Sequence, residues 1–455
     1  MRFSAPRPAR RLPAVVALVG VLAATATAAL SAPPDALPTN EKKLADKAVT
    51  KTWPVLDAKG RKAGTAKWTV TTAGGNCCEV LVAATRTGRL LEFGGQFPAY
   101  SDDRGRTWTE VQTAVPMTSQ LDDASPRSVG GGEGTIVMAP GGDVVGVGWD
   151  PYSGDRLQSF LYEAKTKTWS YHEAPLHEPF YDREWMAVAK GPFTIAGQTV
   201  PWVSLVLSNF NRRVVLMSTD GLHYVRPSRP DLEAVAGGTV SSIPVVPDAD
   251  LDYMQEHVET GLTPLPGGGL ISLGAAGGSG CATQVLRKDG TWACFGGDSR
   301  VSFQGRLHSD SRGWLHDVAV KGDEVLYRIS RNGGRTWQER TIAVPGIASV
   351  ESWDFKAHGK LGLSAIALHA LKEDKNHQDL VLRLDTRSGR ATLKDVLLVG
   401  AGNMRFTSGL DVSGLVSGAK SNRFDFATVA ILPSGKIAVG FVDKTYDDPA
   451  VAVLQ

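Results

Sequence analysis

Ala99–Trp108 reads AYSDDRGRTW, and Arg328–Trp337 reads RISRNGGRTW. Both obey one pattern, Ser-x-Asp/Asn-x-Gly-x-Thr-Trp. The first copy uses Ser101, Asp103, Gly105, Thr107 and Trp108; the second uses Ser330, Asn332, Gly334, Thr336 and Trp337. Each residue type has a local task in a tight turn. A short Asp or Asn side chain reaches backbone N–H groups. Gly takes a backbone shape that other residues resist, and Trp buries a large apolar surface. A loop spelled twice, far apart in one chain, marks a repeated structural unit.

Fainter copies lie between and beyond these two: AKTKTW ending at Trp169, STDGLHY at Tyr224, RKDGTW at Trp292 and DTRSGRAT at Thr392. The six stations are roughly 45–70 residues apart, the spacing of a four-stranded blade with variable loops. The chain around them consists of short apolar runs joined by glycine turns. Examples are TIVMAP-GGD-VVGVGW (135–149), LTPLP-GGG-LISLGAA (262–276) and FATVAILP-SG-KIAVGFV (426–442). Each reads as strand, tight turn, strand. A succession of hairpins, rich in glycine and almost without helical periodicity, predicts an all-β protein.

The two strong copies resemble Asp-boxes, the bacterial neuraminidase repeats that mark sialidase-like β-propellers. The resemblance implies a secreted bacterial member with one propeller of four-stranded antiparallel blades. Six stations match the six-bladed form. The C-terminal segment FDFATVAILPSGKIAVGFVDKTYDDPAVAVLQ, however, offers three strands without a fourth. A strand around Trp68, in TAKWTVTTA, is expected to complete it. That count favours seven blades, closed by an N-terminal strand that leaves no free sheet edge; six is the alternative. Residues 61–455 are read as the propeller and 33–60 as a linker.

Residues 1–32 read as a signal peptide. Arg2, Arg7, Arg10 and Arg11 precede the apolar run Leu12–Leu22, and small residues follow. The whole chain has 49 Lys and Arg against 47 Asp and Glu. The leader arginines supply that excess, so the exported remainder is slightly acidic. A nucleic-acid partner is not expected, because the counterion-release term needs a basic surface. Nor is a membrane partner expected once the leader is removed. An extracellular location suits four cysteines. Cys281 and Cys294 flank a hairpin and are expected to form a disulfide. The adjacent Cys77 and Cys78 are open between thiols, a vicinal bridge and metal ligation; no zinc spacing accompanies them. The acids between Val225 and Gly261 lack EF-hand spacing, and no metal site is expected. No nucleotide loop, G-x-S-x-G elbow or H-E-x-x-H helix is present, so no cofactor is expected either.

The resemblance places the Asp-box turns opposite the ligand face and makes them structural. Function then belongs to the connections entering each innermost strand. These carry Glu79, Glu133, Asp182-Arg183-Glu184, His257 and Glu259, Arg306 with His308 and Asp310, Glu351 with Asp354, and Arg423 with Asp425. Two stretches are dense in charge and aromatics, HEPFYDREW (177–185) and QGRLHSDSRGW (304–314). Aromatic faces stack on sugar rings, and charged groups bind hydroxyls or a carboxylate. Sialidases clamp the substrate carboxylate with three arginines, use a Tyr–Glu pair as nucleophile and an Asp as general acid. Within the two dense stretches Tyr181, Asp182, Glu184, His308 and Asp310 are candidate catalytic groups. Arg183, Arg306, Arg405 and Arg423 are candidate anchors. The family's F/Y-R-I-P motif does not precede Ser101. The related YRIS at Tyr327–Ser330 runs into the second box, so Arg328 is expected on an outer strand. The expected partner is an extracellular carbohydrate or glycoconjugate, either hydrolysed or only bound, and the oligomeric state is open.

Overall fold

The computed structural model describes residues 39–45, 47–72, 80–93, 98–113, 134–139, 141–149, 156–175, 184–195, 198–208, 214–225, 240–241, 262–264, 270–273, 283–286, 292–295, 306–374, 377–404, 428–443 and 448–455. All regular structure in these residues is β-strand. Three strands come first: β1 (Thr39–Lys43), β2 (Val49–Leu56) and β3 (Lys62–Thr72). A meander follows of β4 (Leu81–Ala84), β5 (Leu90–Phe93), β6 (Ala99–Ser101) and β7 (Thr109–Thr113). The next is β8 (Gly134–Met138), β9 (Val144–Trp149), β10 (Arg156–Glu163) and β11 (Thr168–Pro175). Then come β12 (Glu184–Ile195), β13 (Gln198–Ser208), β14 (Val214–Ser218) and β15 (Tyr224–Val225), with the short β16 (Val240–Ser241) paired to β12.

The pattern continues with β17 (Leu262–Pro264), β18 (Leu270–Leu273), β19 (Thr283–Leu286) and β20 (Trp292–Phe295). It repeats as β21 (Arg306–Ser309), β22 (Leu315–Lys321), β23 (Glu324–Ser330) and β24 (Gln338–Ala343). The longest meander is β25 (Ile347–His358), β26 (Leu363–Lys372), β27 (His377–Asp385) and β28 (Thr392–Met404). The chain ends with β29 (Thr428–Ile431), β30 (Ile437–Asp443) and β31 (Asp448–Leu454).

That last set has three strands of its own, and β3 is its fourth: Trp68 pairs with Leu454 and Thr72 with Ala450, antiparallel. First strands of successive sets are neighbours, β4 with β8, β8 with β12, β12 with β17, β17 with β21, β21 with β25, β25 with β29, and β29 with β4 again. A cycle of innermost strands, each starting a meander that runs outward, is a β-propeller.

Apolar faces of adjacent sets form the core. One cluster joins Tyr327, Ile329 and Val318 to Phe355, Ile366 and Leu382. Another joins Val381 and Leu397 to Trp68, Val439 and Trp53. A third, with Trp108, Leu90 and Val82 against Val451 and Val453, links the two ends of the chain.

The segment expected to be a linker supplies two strands. β1 adds a fifth strand outside β7, from Thr39↔Thr113 to Lys43↔Thr109. β2 pairs with β3 along its length and with β28 at Val55 and Leu56, which fuses two sets into one nine-stranded sheet. Trp53 anchors β2, with its ring 5.8 Å from that of Trp68 and 6.4 Å from that of Phe441. Sequence patterning hides this because β1 has every residue exposed and β2 begins with four exposed residues.

The hairpin β19–β20 forms as expected, with Cys294 opposite Gln284; Cys281 lies outside the described residues, as do Cys77 and Cys78. Among the described residues no helix is long and apolar enough to cross a membrane.

Candidate functional site

The Ser-x-Asp turns fix the polarity of the ring. In the first, Asp103 Oδ1 accepts from the N–H groups of Arg106 and Thr107 at 3.0 and 2.9 Å, and Oδ2 accepts from Thr107 Oγ1 at 2.7 Å. Ser101 Oγ accepts from Gly105 N at 2.8 Å. In the second, Asn332 Oδ1 accepts from Thr336 N at 3.0 Å and Ser330 Oγ from Gly334 N at 2.9 Å.

The faint copy STDGLHY builds the same turn one residue shorter. Asp220 Oδ1 accepts from Leu222 N and His223 N, both at 2.9 Å, and Ser218 Oγ from Gly221 N at 2.8 Å. His223 takes the place of the threonine, with Nδ1 2.7 Å from Asp220 Oδ2. All three turns join a third strand to a fourth: β6 to β7, β14 to β15, β23 to β24. In an antiparallel meander that connection lies at the same end as the first-to-second turn. Connections into the innermost strands lie at the opposite end.

Most of those connections fall outside the described residues. Tyr181, Asp182, Arg183, Arg405 and Arg423 lie there, as do Glu79, Glu133, His257, Glu259 and Asp425. Glu184 is the first residue of β12 and Arg306 the first of β21. Both therefore stand where a connection becomes an innermost strand, at the end away from the Ser-x-Asp turns.

The stretch 304–314 is not one loop. Arg306–Ser309 is the innermost strand β21, with His308 opposite His316, and Asp310 begins the turn to β22 on the far side. Asp310 Oδ1 accepts from the N–H of Arg312 at 2.8 Å and of Trp314 at 3.2 Å. Its Oδ2 takes Arg312 Nε at 2.8 Å and lies 2.9 Å from His316 Nε2. Burial opposes the charge, yet the His316 and Arg312 contacts hold the carboxyl well below the usual aspartate range. So engaged, the carboxylate braces the turn between β21 and β22.

The brace continues inward. His316 Nδ1 lies 2.9 Å from the Tyr327 hydroxyl, which lies 2.6 Å from Ser364 Oγ on the next set. All three residues are fully buried, and burial pushes the Tyr327 phenol up. Asp310, His316, Tyr327 and Ser364 are thus one buried chain pinning two sets together. The sequence offered a signal in LHDVAV (315–320), where polar His316 and Asp317 interrupt a buried strand.

His308 packs edge-on against Phe355, ring centroids 6.1 Å apart, and its Nδ1 is buried without a partner. Burial, reinforced by Lys356, lowers its pKa to about 3. The imidazole is thus held neutral inside the innermost strand.

Arg328 is on β23, an outer position as expected. Its Nε donates to Asp317 Oδ2 at 2.7 Å, with a second contact from the same guanidinium. Near the axis, innermost strands are tied directly: Val429 N donates to Asp354 Oδ2 at 3.0 Å, and Thr428 Oγ1 donates to Val80 O. Among the described residues no cluster of His, Cys, Asp and Glu could hold a metal ion.

No protein-family model matches the chain, and no curated protein matches it. Solved structures resemble it distantly. A catalytically inactive variant of virginiamycin B lyase from Staphylococcus aureus, with quinupristin, superposes with TM-score 0.40 at 9% identity over 85% of this chain and 99% of that one. The NanB sialidase from Streptococcus pneumoniae gives 0.36 at 12%, covering 84% and 70%. A variant of the Aleuria aurantia lectin bound to a fucosylated sugar gives 0.35 at 10%, covering 81% and 88%. At such identities these neighbours assign no activity to the chain.

Proposed function

We propose that the chain is an exported, seven-bladed, sialidase-like propeller that acts on an extracellular glycan, at the face opposite the Ser-x-Asp turns. The blade count rests on the closed cycle of innermost strands, with β3 completing the last blade. The observation that carries the functional reading is the polarity of the ring. Three braced turns occupy one side, while Glu184 and Arg306 stand at the other ends of their innermost strands. The charged and aromatic stretch 177–185 ends in the first two residues of β12.

In this reading Arg183, Arg306, Arg405 and Arg423 anchor a substrate carboxylate or hydroxyls by charge-assisted hydrogen bonds. Asp182 or Glu184 protonates the leaving oxygen, and Tyr181 is the nucleophile of an exo-sialidase-like hydrolysis that needs no cofactor. A fluorogenic glycoside panel tests it. Turnover of one glycoside should be lost in Arg183→Ala and in Arg306→Ala while thermal stability stays near that of the wild type. Unchanged activity in both variants sinks the assignment.

A second reading is a propeller that binds glycans without cleaving them. The absence of F/Y-R-I-P ahead of Ser101 favours it. Glycan-array binding with no glycoside turned over selects this reading over hydrolysis.

A further inference from the structure

The side bearing the Ser-x-Asp turns has an uneven charge balance. Its described first-to-second and third-to-fourth turns are close neighbours across the ring. A Cβ on Gly359 would lie 2.8 Å from the Asp310 carboxyl, one on Gly389 3.1 Å from Arg331, and one on Gly435 3.3 Å from Leu361. Arg312 also donates to Thr386 O at 3.4 Å. These contacts join turns of neighbouring sets, and the antiparallel meanders put the other described first-to-second and third-to-fourth turns at the same end.

Every acid within the described turns is engaged in the turns themselves. Asp102 pairs with Arg89 at 2.7 Å, and Asp103 and Asp220 accept from their own loops. Asp143 Oδ1 accepts from Ala164 N at 2.9 Å, and Asp310 is held by Arg312 and His316. At the start of one further turn, Asp385 pairs with Arg387. Many cations of the same turns have no such partner. Arg86, Arg104, Arg106, Lys165, Arg331 and Arg390 are exposed, and none forms an ion pair among the described residues. The turn chemistry that needs carboxylates as braces leaves guanidinium and ammonium groups facing solvent.

We propose that this surface is a docking face for an acidic polysaccharide, a chain of repeating carboxylate or sulfate groups. Three observations select that partner. The cations are spread from the 85–89 turn to the 386–391 turn instead of converging on a cavity, which fits an extended polyanion better than a small anion. Most are arginines, whose planar fork pairs bidentately with oxoanions. Aromatic platforms and apolar anchors are scarce: Trp314 is covered by Arg312 at 3.7 Å and Arg331 at 4.8 Å. The only exposed large hydrophobics at this end among the described residues are Met138 and Leu361, each 38% exposed. Base stacking and lipid insertion both call for more. The face is separate from the one proposed for glycan chemistry, and it would hold the protein on an acidic matrix while the other face stays open.

The test uses the full chain and immobilised polygalacturonate across a salt series. The wild type should bind at low salt and lose affinity steeply as salt rises. Arg86→Gln, Arg106→Gln, Arg331→Gln and Arg390→Gln combined should weaken binding by about tenfold at low salt, a few tenths of a kcal/mol per exposed charge. The four corresponding Arg→Lys changes, which keep the charge but not the fork, should bind between the wild type and the glutamine variant, which separates loss of charge from misfolding. Lys42→Gln with Lys43→Gln, on the outer strand β1, should leave it unchanged. Equal binding by the four-glutamine variant and the wild type overturns the proposal. So does stronger binding to duplex DNA or to phosphatidylglycerol vesicles than to polygalacturonate. Glycoside turnover is read separately, so failure of one proposal leaves the other standing.

Discussion

Gly105, in the first Ser-x-Asp turn, sits against Val453, near the C-terminus, so closely that a Cβ on the glycine would fall 2.7 Å from Val453 Cγ2. Its φ of +78° is left-handed as well. One residue thus satisfies a turn and closes the ring. Gly88 has a similar φ of +90° but nothing within 4 Å of an added Cβ. Gly88→Ala should therefore cost only the left-handed backbone penalty, about 1–2 kcal/mol. Gly105→Ala should cost that amount plus about 1–3 kcal/mol for overpacking. Urea midpoints compare the two. Equal losses would show that the closing junction yields freely at Val453.

The repeated turn was legible in sequence because its chemistry is local: Ser101, Asp103 and Gly105 satisfy one another within a few residues. Even the altered copy at Ser218–Tyr224 kept the geometry, since His223 supplies the contact that threonine makes elsewhere. What sequence hid is non-local. Strand β21 carries Arg306 and His308, so it reads as a polar loop, and its pairing with β22, Arg306 opposite Val318 and Ser309 opposite Leu315, makes it a strand. β1 and β2 are largely exposed and hold their place by pairing with β7, β3 and β28. No residue pattern within those segments announces partners so distant along the chain.

The Asp310–His316–Tyr327–Ser364 chain should matter to stability and leave the proposed glycan turnover untouched. Asp310→Asn leaves Arg312 and His316 without their buried counter-charge and should cost about 3 kcal/mol. Tyr327→Phe removes the hydroxyl between His316 and Ser364 and should cost about 1–3 kcal/mol. The pH dependence has a definite sign. The folded-state pKa of Asp310 lies below the ordinary 3.8, so its contribution is present above that value and is lost as pH falls through the folded value. Denaturation of Asp310→Asn should be less steep in acid than that of the wild type. An unchanged acid limb would mean other carboxylates control it.

Trp53 tests whether the N-terminal strands belong to the fold. Its ring packs on Trp68 and Phe441 in the cluster that joins β28, β3 and β30. Trp53→Ala should cost about 3–5 kcal/mol, the range for a buried large aromatic. On the same strand Val49 is 48% exposed, and Val49→Ala should stay within about 0.5 kcal/mol. If both variants unfold at the wild-type urea concentration, β2 is an appendage and contributes nothing to ring closure.

Glu92 sets an opposite pH trend. It is fully buried on β5, and neither carboxylate oxygen has a hydrogen-bond partner. In register, Glu92 lies opposite Ala99, Ala99 opposite Glu110, and Glu110 opposite Lys42 on β1, so the acids occupy one row with that lysine. Burial first, and then the Glu110 charge, push Glu92 well above the ordinary glutamate value of 4.5. A folded state that keeps its proton after the unfolded chain has lost it becomes less stable as pH rises. The loss begins near 4.5 and continues up to the folded pKa, a window above the one governed by Asp310. Glu92→Gln removes the titration, so its urea midpoint should vary less than that of the wild type between mildly acidic and neutral pH. At neutral pH the variant should be the more stable of the two, because it has no carboxyl that must hold a proton the unfolded chain has already released. Parallel pH curves for the two proteins would place Glu92 in contact with solvent or a cation, and the raised pKa would have to be abandoned.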